Sequence, residues 1–188
     1  MRRGVLLVLG VALALTAGWG NAAVAQTGRP DLSKVRVLAV APFDDETYVP
    51  GYILGAGPVR LAELIGRAPY RVVPVADVVA AMKRLGVVPR DLIGLTPTVE
   101  VGTAVGADAV LTGRITSAEW EGGRSHRARV GAGFGVGTSR IDMEVRILDV
   151  TTRLRIFQDQ VSCQTPGPLH VALDCVVRGV AARIVPGP

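Results

Sequence analysis

The stretch VRVLAVAPF, from Val35 to Phe43, constrains this chain more than any other because it is apolar on both alternating parities. Successive side chains of a strand point to opposite faces, so a strand that is apolar on both must be covered on both. It belongs in the middle of a sheet. A later segment has the opposite pattern, with Ile141, Met143, Val145 and Ile147 on one parity and Arg140, Asp142, Glu144 and Arg146 on the other. That strand buries one face and wets the other.

The segments between read in turn. DDETYVPGYILGAG is rich in turn formers and reads as a loop ending at Pro58, a good first helical residue, with Val59, Ala62, Leu64 and Ile65 of the following helix facing in. Tyr70 to Val75 is a second strand. Val75, Val78, Val79, Met82 and Leu85 give the stripe of a surface helix that stops at Gly86. Thr96 and Pro97 open a short helix that ends at Gly106. Ala107 to Ile115 begins as a buried run and shifts to alternation. After the Ile141 to Ile147 strand, a turn at Thr151 to Arg153 leads back into LRIFQDQVSC. Pro168 to Ile184 forms a last helix with Leu169, Leu173, Val176 and Val180 inward. The expected order is β α β α α β β β α, an α/β single domain with one mixed sheet, helices packed on it and a late antiparallel meander.

The chain opens with Arg2 and Arg3, an apolar run from about Val5 to Ala17, and Ala23 and Ala25 around Val24. This is the pattern of a signal peptide over residues 1–25 with cleavage after Ala25; an uncleaved anchor is the alternative. Residues 26–34 read as a polar tail and 35–188 as the domain. The apolar run is shorter than the roughly 20 residues of a spanning helix, so no helical membrane span is expected. Removing residues 1–25 lowers the formal net charge from +5 to +3. That excess is small and aromatics are 4%, which argues against nucleic acid as a partner and leaves room for association with anionic head groups at a membrane surface.

Arg129 to Arg140 reads RVGAGFGVGTSR, with Gly131, Gly133, Gly135 and Gly137 at a two-residue period. A phosphate loop needs G-x-G-x-x-G or a terminal G-K-[ST], and neither is present, so no cofactor is expected there. The apolar parity changes between Ala128 to Val136 and Ile141 onward, which calls for a bulge near Thr138. The segment 119–139 reads as a projecting interaction hairpin carrying Gly131, Gly133, Phe134, Gly135 and Gly137. A disordered loop and a pore strand are the alternatives.

Chemistry-bearing residues are sparse. Asp44, Asp45 and Glu46 could meet a hard cation, but no second acidic cluster or spaced histidine completes a ligand set, so no metal is expected and a solvated turn is the plainer reading. His126 lies among Arg124, Arg127 and Arg129, and His170 near the start of the last helix, each without a spaced partner. No serine, threonine or cysteine stands in a nucleophile motif, and no enzyme is expected. Cys163 and Cys175 are twelve residues apart in an exported chain and read as a disulfide, worth about 3 kcal/mol by chain entropy. Two buried thiols are the alternative.

The opening VAVAPFDDET, the helix ending KRLG, VGADAVLTGRI, the FGVG at Phe134 to Gly137 and VRILDVTT together resemble the curli secretion channel family. The amino-terminal domain of the Tol-system protein B and several small envelope proteins are similar. The resemblance spans Val35 to Ile184 and implies an anticodon-binding-like α/β domain in the periplasm or at the outer membrane. It implies envelope proteins as partners, a homo-oligomer among the arrangements open to it, and no catalysis. Two departures bear on the channel role: there is no cysteine at the expected mature start, and RIFQDQVSCQTPGP leaves no room for a second membrane hairpin. The expected function is therefore protein–protein interaction in envelope assembly, secretion or cell-wall maintenance. An oligomeric outer-membrane secretion channel subunit is the alternative.

Overall fold

The structure is a computed structural model that describes residues 29–47, 49–66, 68–121 and 137–185. The expected signal peptide lies outside the described residues, as do His126, Gly131, Gly133, Phe134 and Gly135; Gly137 is within them.

The strands are β1 (Val37–Val40), β2 (Asp44–Asp45), β3 (Arg71–Val73), β4 (Ala109–Glu121), β5 (Thr138–Asp149) and β6 (Arg155–Pro166). The helices are α1 (Gly51–Ile65), α2 (Val75–Leu85), α3 (Leu95–Ala104) and α4 (Leu169–Ile184), with a 3-10 turn at Pro89–Ile93 before α3. One mixed sheet runs β3-β1-β4-β5-β6, and β2 adds briefly to β4. The β1–β3, β1–β4 and β2–β4 pairs are parallel, whereas β4, β5 and β6 form an antiparallel meander.

The doubly apolar first strand is covered as its sequence requires. Leu38 and Val40 pack into the larger core beneath α1 and α4, while Ala39 and Ala41 enter a second core beneath α2 and α3 with Val78, Met82 and Val101. β5 is covered on one side only. Ile141, Met143, Val145 and Ile147 are fully buried toward α4, and the opposite parity faces outward from the sheet. From Thr138 onward the parity is unbroken, since Ser139 is buried like Ile141. Ala128 to Val136, on whose parity the bulge expected near Thr138 rests, lie outside the described residues; within the described meander the register shifts between Ile115 and Ser117 in the β4–β5 pair and between Ile147 and Leu148 in the β5–β6 pair.

Three helix expectations are corrected. α1 begins at Gly51, with Pro58 inside it, and not at Pro58. Its inward stripe is Gly57, Pro58, Leu61 and Ile65, while Val59 is exposed. The fit against α4 sets this phase: a Cβ on Gly57 would meet Phe43 at 2.7 Å and Leu173 at 3.3 Å. In α2 the buried residues are Val78, Ala81 and Met82, leaving Val79 and Leu85 exposed, because the helix lies over the narrow β1–β3 edge. α3 starts at Leu95 after Gly94, and its polar anchor is Thr98, whose hydroxyl donates to the carbonyls of Leu92 (2.8 Å) and Gly94 (2.9 Å). No described helix is long and apolar enough to cross a membrane.

Candidate interaction surface

Two of the motifs behind the family resemblance meet in one structural device. Gly106 takes a left-handed φ of 65° at the end of α3, and Asp108 then accepts hydrogen bonds from the N–H groups of Arg36 and Val37, both at 2.9 Å. This fixes the register of β1 on β4. At the far end of β1, Phe43 lies against Gly113, where any Cβ would collide with Phe43 and Met143. VGADAVLTGRI and APFDDET are thus two halves of one contact.

The acidic run has separate structural duties. Asp45 accepts from the N–H and hydroxyl of Thr47, both at 2.8 Å, and from the N–H of Val49 at 2.5 Å, closing the chain into α1. Glu46 takes a hydrogen bond from Arg114 Nη1 at 2.5 Å. Asp44 lies 3.0 Å from Arg114 Nε, an ion contact without hydrogen-bond alignment. Among the described residues no three His, Cys, Asp or Glu side chains converge as metal ligands.

Cys163 of β6 and Cys175 of α4 form a disulfide with their Cα atoms 6.1 Å apart. The last helix is thereby stapled to the sheet edge. On the outer side of that helix, a groove of about 620 Å³ runs between α1 and α4, with His170 and Val171 at one end. Asp174 bonds both Arg178 and Arg60 there, and the Arg178 guanidinium foremost holds its carboxyl below the usual range.

The outward face of β4, β5 and β6 is a polar lattice. Thr112, Arg146 and Gln158 stand in one cross-strand row, and Arg114, Glu144 and Gln160 in the next. Glu144 is shared by Arg146 at 2.8 Å and Gln158 at 2.5 Å, and Arg140 reaches Asp142 at 3.2 Å. Sequence alternation had placed Arg140, Asp142, Glu144 and Arg146 on this side. It did not bring Arg114 to Asp44, nor the turn after Ile93 over the lattice, because those contacts arise from chain crossings remote in sequence.

At one end of the lattice the face becomes a cleft of about 240 Å³ between the start of α3 and the β5–β6 turn. Arg153 in that turn has φ 59°, the one positive value at a described residue other than glycine. The turn is closed by Asp149, whose carboxylate accepts from the Thr152 N–H at 2.6 Å and whose N–H donates to the Leu154 carbonyl at 2.9 Å. At the other end Glu121 pairs with Thr138, the last pair before the glycine-rich segment.

No family model matches the chain, and no curated protein is similar to it in sequence. Its fold, however, is found among solved structures. The lipoprotein GNA1162 from Neisseria meningitidis is similar with a TM-score of 0.57 at 17% identity, over 78% of this chain and 96% of that one. PelC from Paraburkholderia phytofirmans, a dodecamer, is similar with a TM-score of 0.55 at 14% identity, over 86% of this chain and 96% of that one. At such identities the likeness is one of fold, and it does not single out the curli-channel type within that fold.

Proposed function

We propose that this chain is an exported, non-catalytic envelope protein that acts by binding other proteins in envelope assembly, secretion or cell-wall maintenance. Residues 1–25 are its signal peptide, the mature chain begins at Gln26, and it works in the periplasm or against the outer membrane. The observation that carries this reading is the division of labour among side chains. The carboxylates of the acidic run and both cysteines are engaged in structure, whereas large aliphatic side chains such as Val59, Ile93, Leu95 and Leu154 stand exposed beside arginines. Exposed aliphatics beside arginines suit recognition of another protein. Sharing a fold with a Neisseria lipoprotein supports the envelope setting.

A second reading, an oligomeric outer-membrane secretion channel subunit of the curli-channel type, draws support from the likeness to the PelC dodecamer and from β6, a twelve-residue strand at the sheet edge. An edge strand of that length offers a row of backbone groups to a neighbouring subunit. Against it, Glu119 and Glu121 at the root of the glycine-rich hairpin suit lipid poorly. The deciding experiment is chemical crosslinking in intact envelopes followed by fractionation, with amino-terminal sequencing of the recovered protein. Heterologous crosslinks to a protein released without detergent and starting at Gln26 support the first reading. A ring that survives only in detergent and conducts ions in planar bilayers supports the second.

A further inference from the structure

The cleft over the end of the sheet has a lining whose charge is one-sided. Three cations border it, Arg146, Arg153 and Arg155, and no carboxylate does. Glu144 holds Arg146 and Gln158 holds Arg155, while Arg153 forms no ion pair among the described residues. Ile93, Leu95 and Leu154 surround the arginines and are 41%, 47% and 64% exposed. In the rest of the outward face Arg114 and Arg140 are each matched by a carboxylate, whereas among the described residues Arg153 and Arg155 are not.

We propose that this cleft is a docking site for an acidic, leucine-bearing segment of a partner protein, with the partner's carboxylates on Arg153 and Arg155 and an aliphatic side chain seated among Ile93, Leu95 and Leu154. The inference rests on the interaction reading above and specifies its surface. Charge complementarity selects the acids, because a cationic or neutral segment would leave the Arg153 and Arg155 guanidiniums without a carboxylate. Size selects a peptide: about 240 Å³ is below the usual range for a small-molecule pocket and holds one or two side chains. Concavity selects a protruding side chain over a flat bilayer surface. Arg153 adds a further sign. Its left-handed backbone is the conformation glycine or asparagine takes most readily, and placing arginine there keeps a charge at the mouth of the cleft at a conformational cost.

The experiment measures fluorescence anisotropy of a labelled peptide of alternating glutamate and leucine against the full exported chain. A lysine–leucine peptide and phosphatidylglycerol vesicles serve as comparisons. The expected result is saturable binding of the acidic peptide alone, weakened about tenfold or more by Arg153→Glu with Arg155→Glu and by Leu154→Asp. Arg153→Gly relieves the backbone and so keeps the fold, and it should still weaken binding about threefold, which guards against misfolding of the other variants. Absence of acidic-peptide binding, or equal binding by Arg153→Gly and the double variant, overturns the proposal. Binding of the vesicles with the same arginine dependence also overturns it, by assigning the cleft to the membrane. Envelope crosslinks that persist in the double variant while the peptide fails to bind sink the cleft and leave the interaction reading standing. Loss of every heterologous crosslink in the unmodified protein sinks that reading itself.

Discussion

Phe43 and Gly113 show how one residue can decide where two distant segments meet. Phe43 is 2% exposed and lies where Gly113 has no Cβ, so the aromatic ring sits directly on the β4 backbone. Gly113→Val forces the ring and Met143 aside in a filled core. The expected loss is about 2 to 3 kcal/mol, read as a lower urea midpoint with unchanged slope. Tyr70 carries the opposite prediction. It is buried, its hydroxyl finds no partner among the described residues, and burial pushes the phenol up from 10.0 to about 12. Below pH 10 both folded and unfolded chains hold the proton and stability is complete. As pH rises toward 12 the unfolded phenol ionises first, so stability falls. Tyr70→Phe should remove that alkaline decline and add about 1 kcal/mol at neutral pH by deleting an unsatisfied hydroxyl. Urea titrations of both proteins at neutral pH and near the upper phenol value check the two claims together.

At the scale of elements, the disulfide is the staple with the largest expected effect. α4 supplies Leu173, Val176 and Val180 to the main core, and the Cys163–Cys175 bond closes its path from β6 over twelve residues. Replacing both cysteines by alanine should cost about 3 kcal/mol, with the helix still docked by its apolar face. Calorimetry of the double variant against the oxidised protein measures it, and thiol counting under denaturation without reductant should find none in the latter. Elements with a clean period were legible in the sequence: β1 from its double apolar parity, β5 from strict alternation, α4 from its inward stripe, and the mixed order with its late meander. α1 was not, because Gly51, Gly55, Gly57 and Pro58 are poor helix formers whose placement follows from tertiary fit, with Gly57 admitting Phe43 and Leu173. The exposed Val79 and Leu85 misled for a related reason: an apolar stripe states what could be buried, and the narrow β3 edge beneath α2 limits what is. The arginine cleft was illegible, since it joins the α3 entry to the β5–β6 turn across a gap of some sixty positions with no spacing to reveal it.

For the molecule as a whole, the question is whether the glycine-rich segment belongs to the folding unit or to its contacts. The described sheet offers a way to separate the two. Glu121 and Thr138 are the last paired positions of β4 and β5, and the register on either side of the meander is carried by Ile141, Met143, Val145 and Ile147 against the core. Replacing residues 122–137 with Asn-Gly would join those paired positions by a two-residue turn whose twist suits antiparallel strands. Shortening a loop changes closure entropy by only about 0.6 kcal/mol per halving, and nothing buried in the described core is removed. Sixteen residues reduced to two is three halvings, so the shortened chain should be at least as stable as the parent, by up to about 2 kcal/mol. If residues Gly131, Gly133, Phe134 and Gly135 form an interaction element, self-association or heterologous crosslinking should fall in the same preparation. Gly133→Val with Gly135→Val should act likewise by blocking close backbone approach. Calorimetry and envelope crosslinking on the same variants decide the matter: a melting temperature that drops while crosslinks persist makes the segment part of the fold, and a retained melting temperature with lost crosslinks makes it a contact surface, separate from the arginine cleft in that its removal leaves Arg153, Arg155 and the residues around them in place.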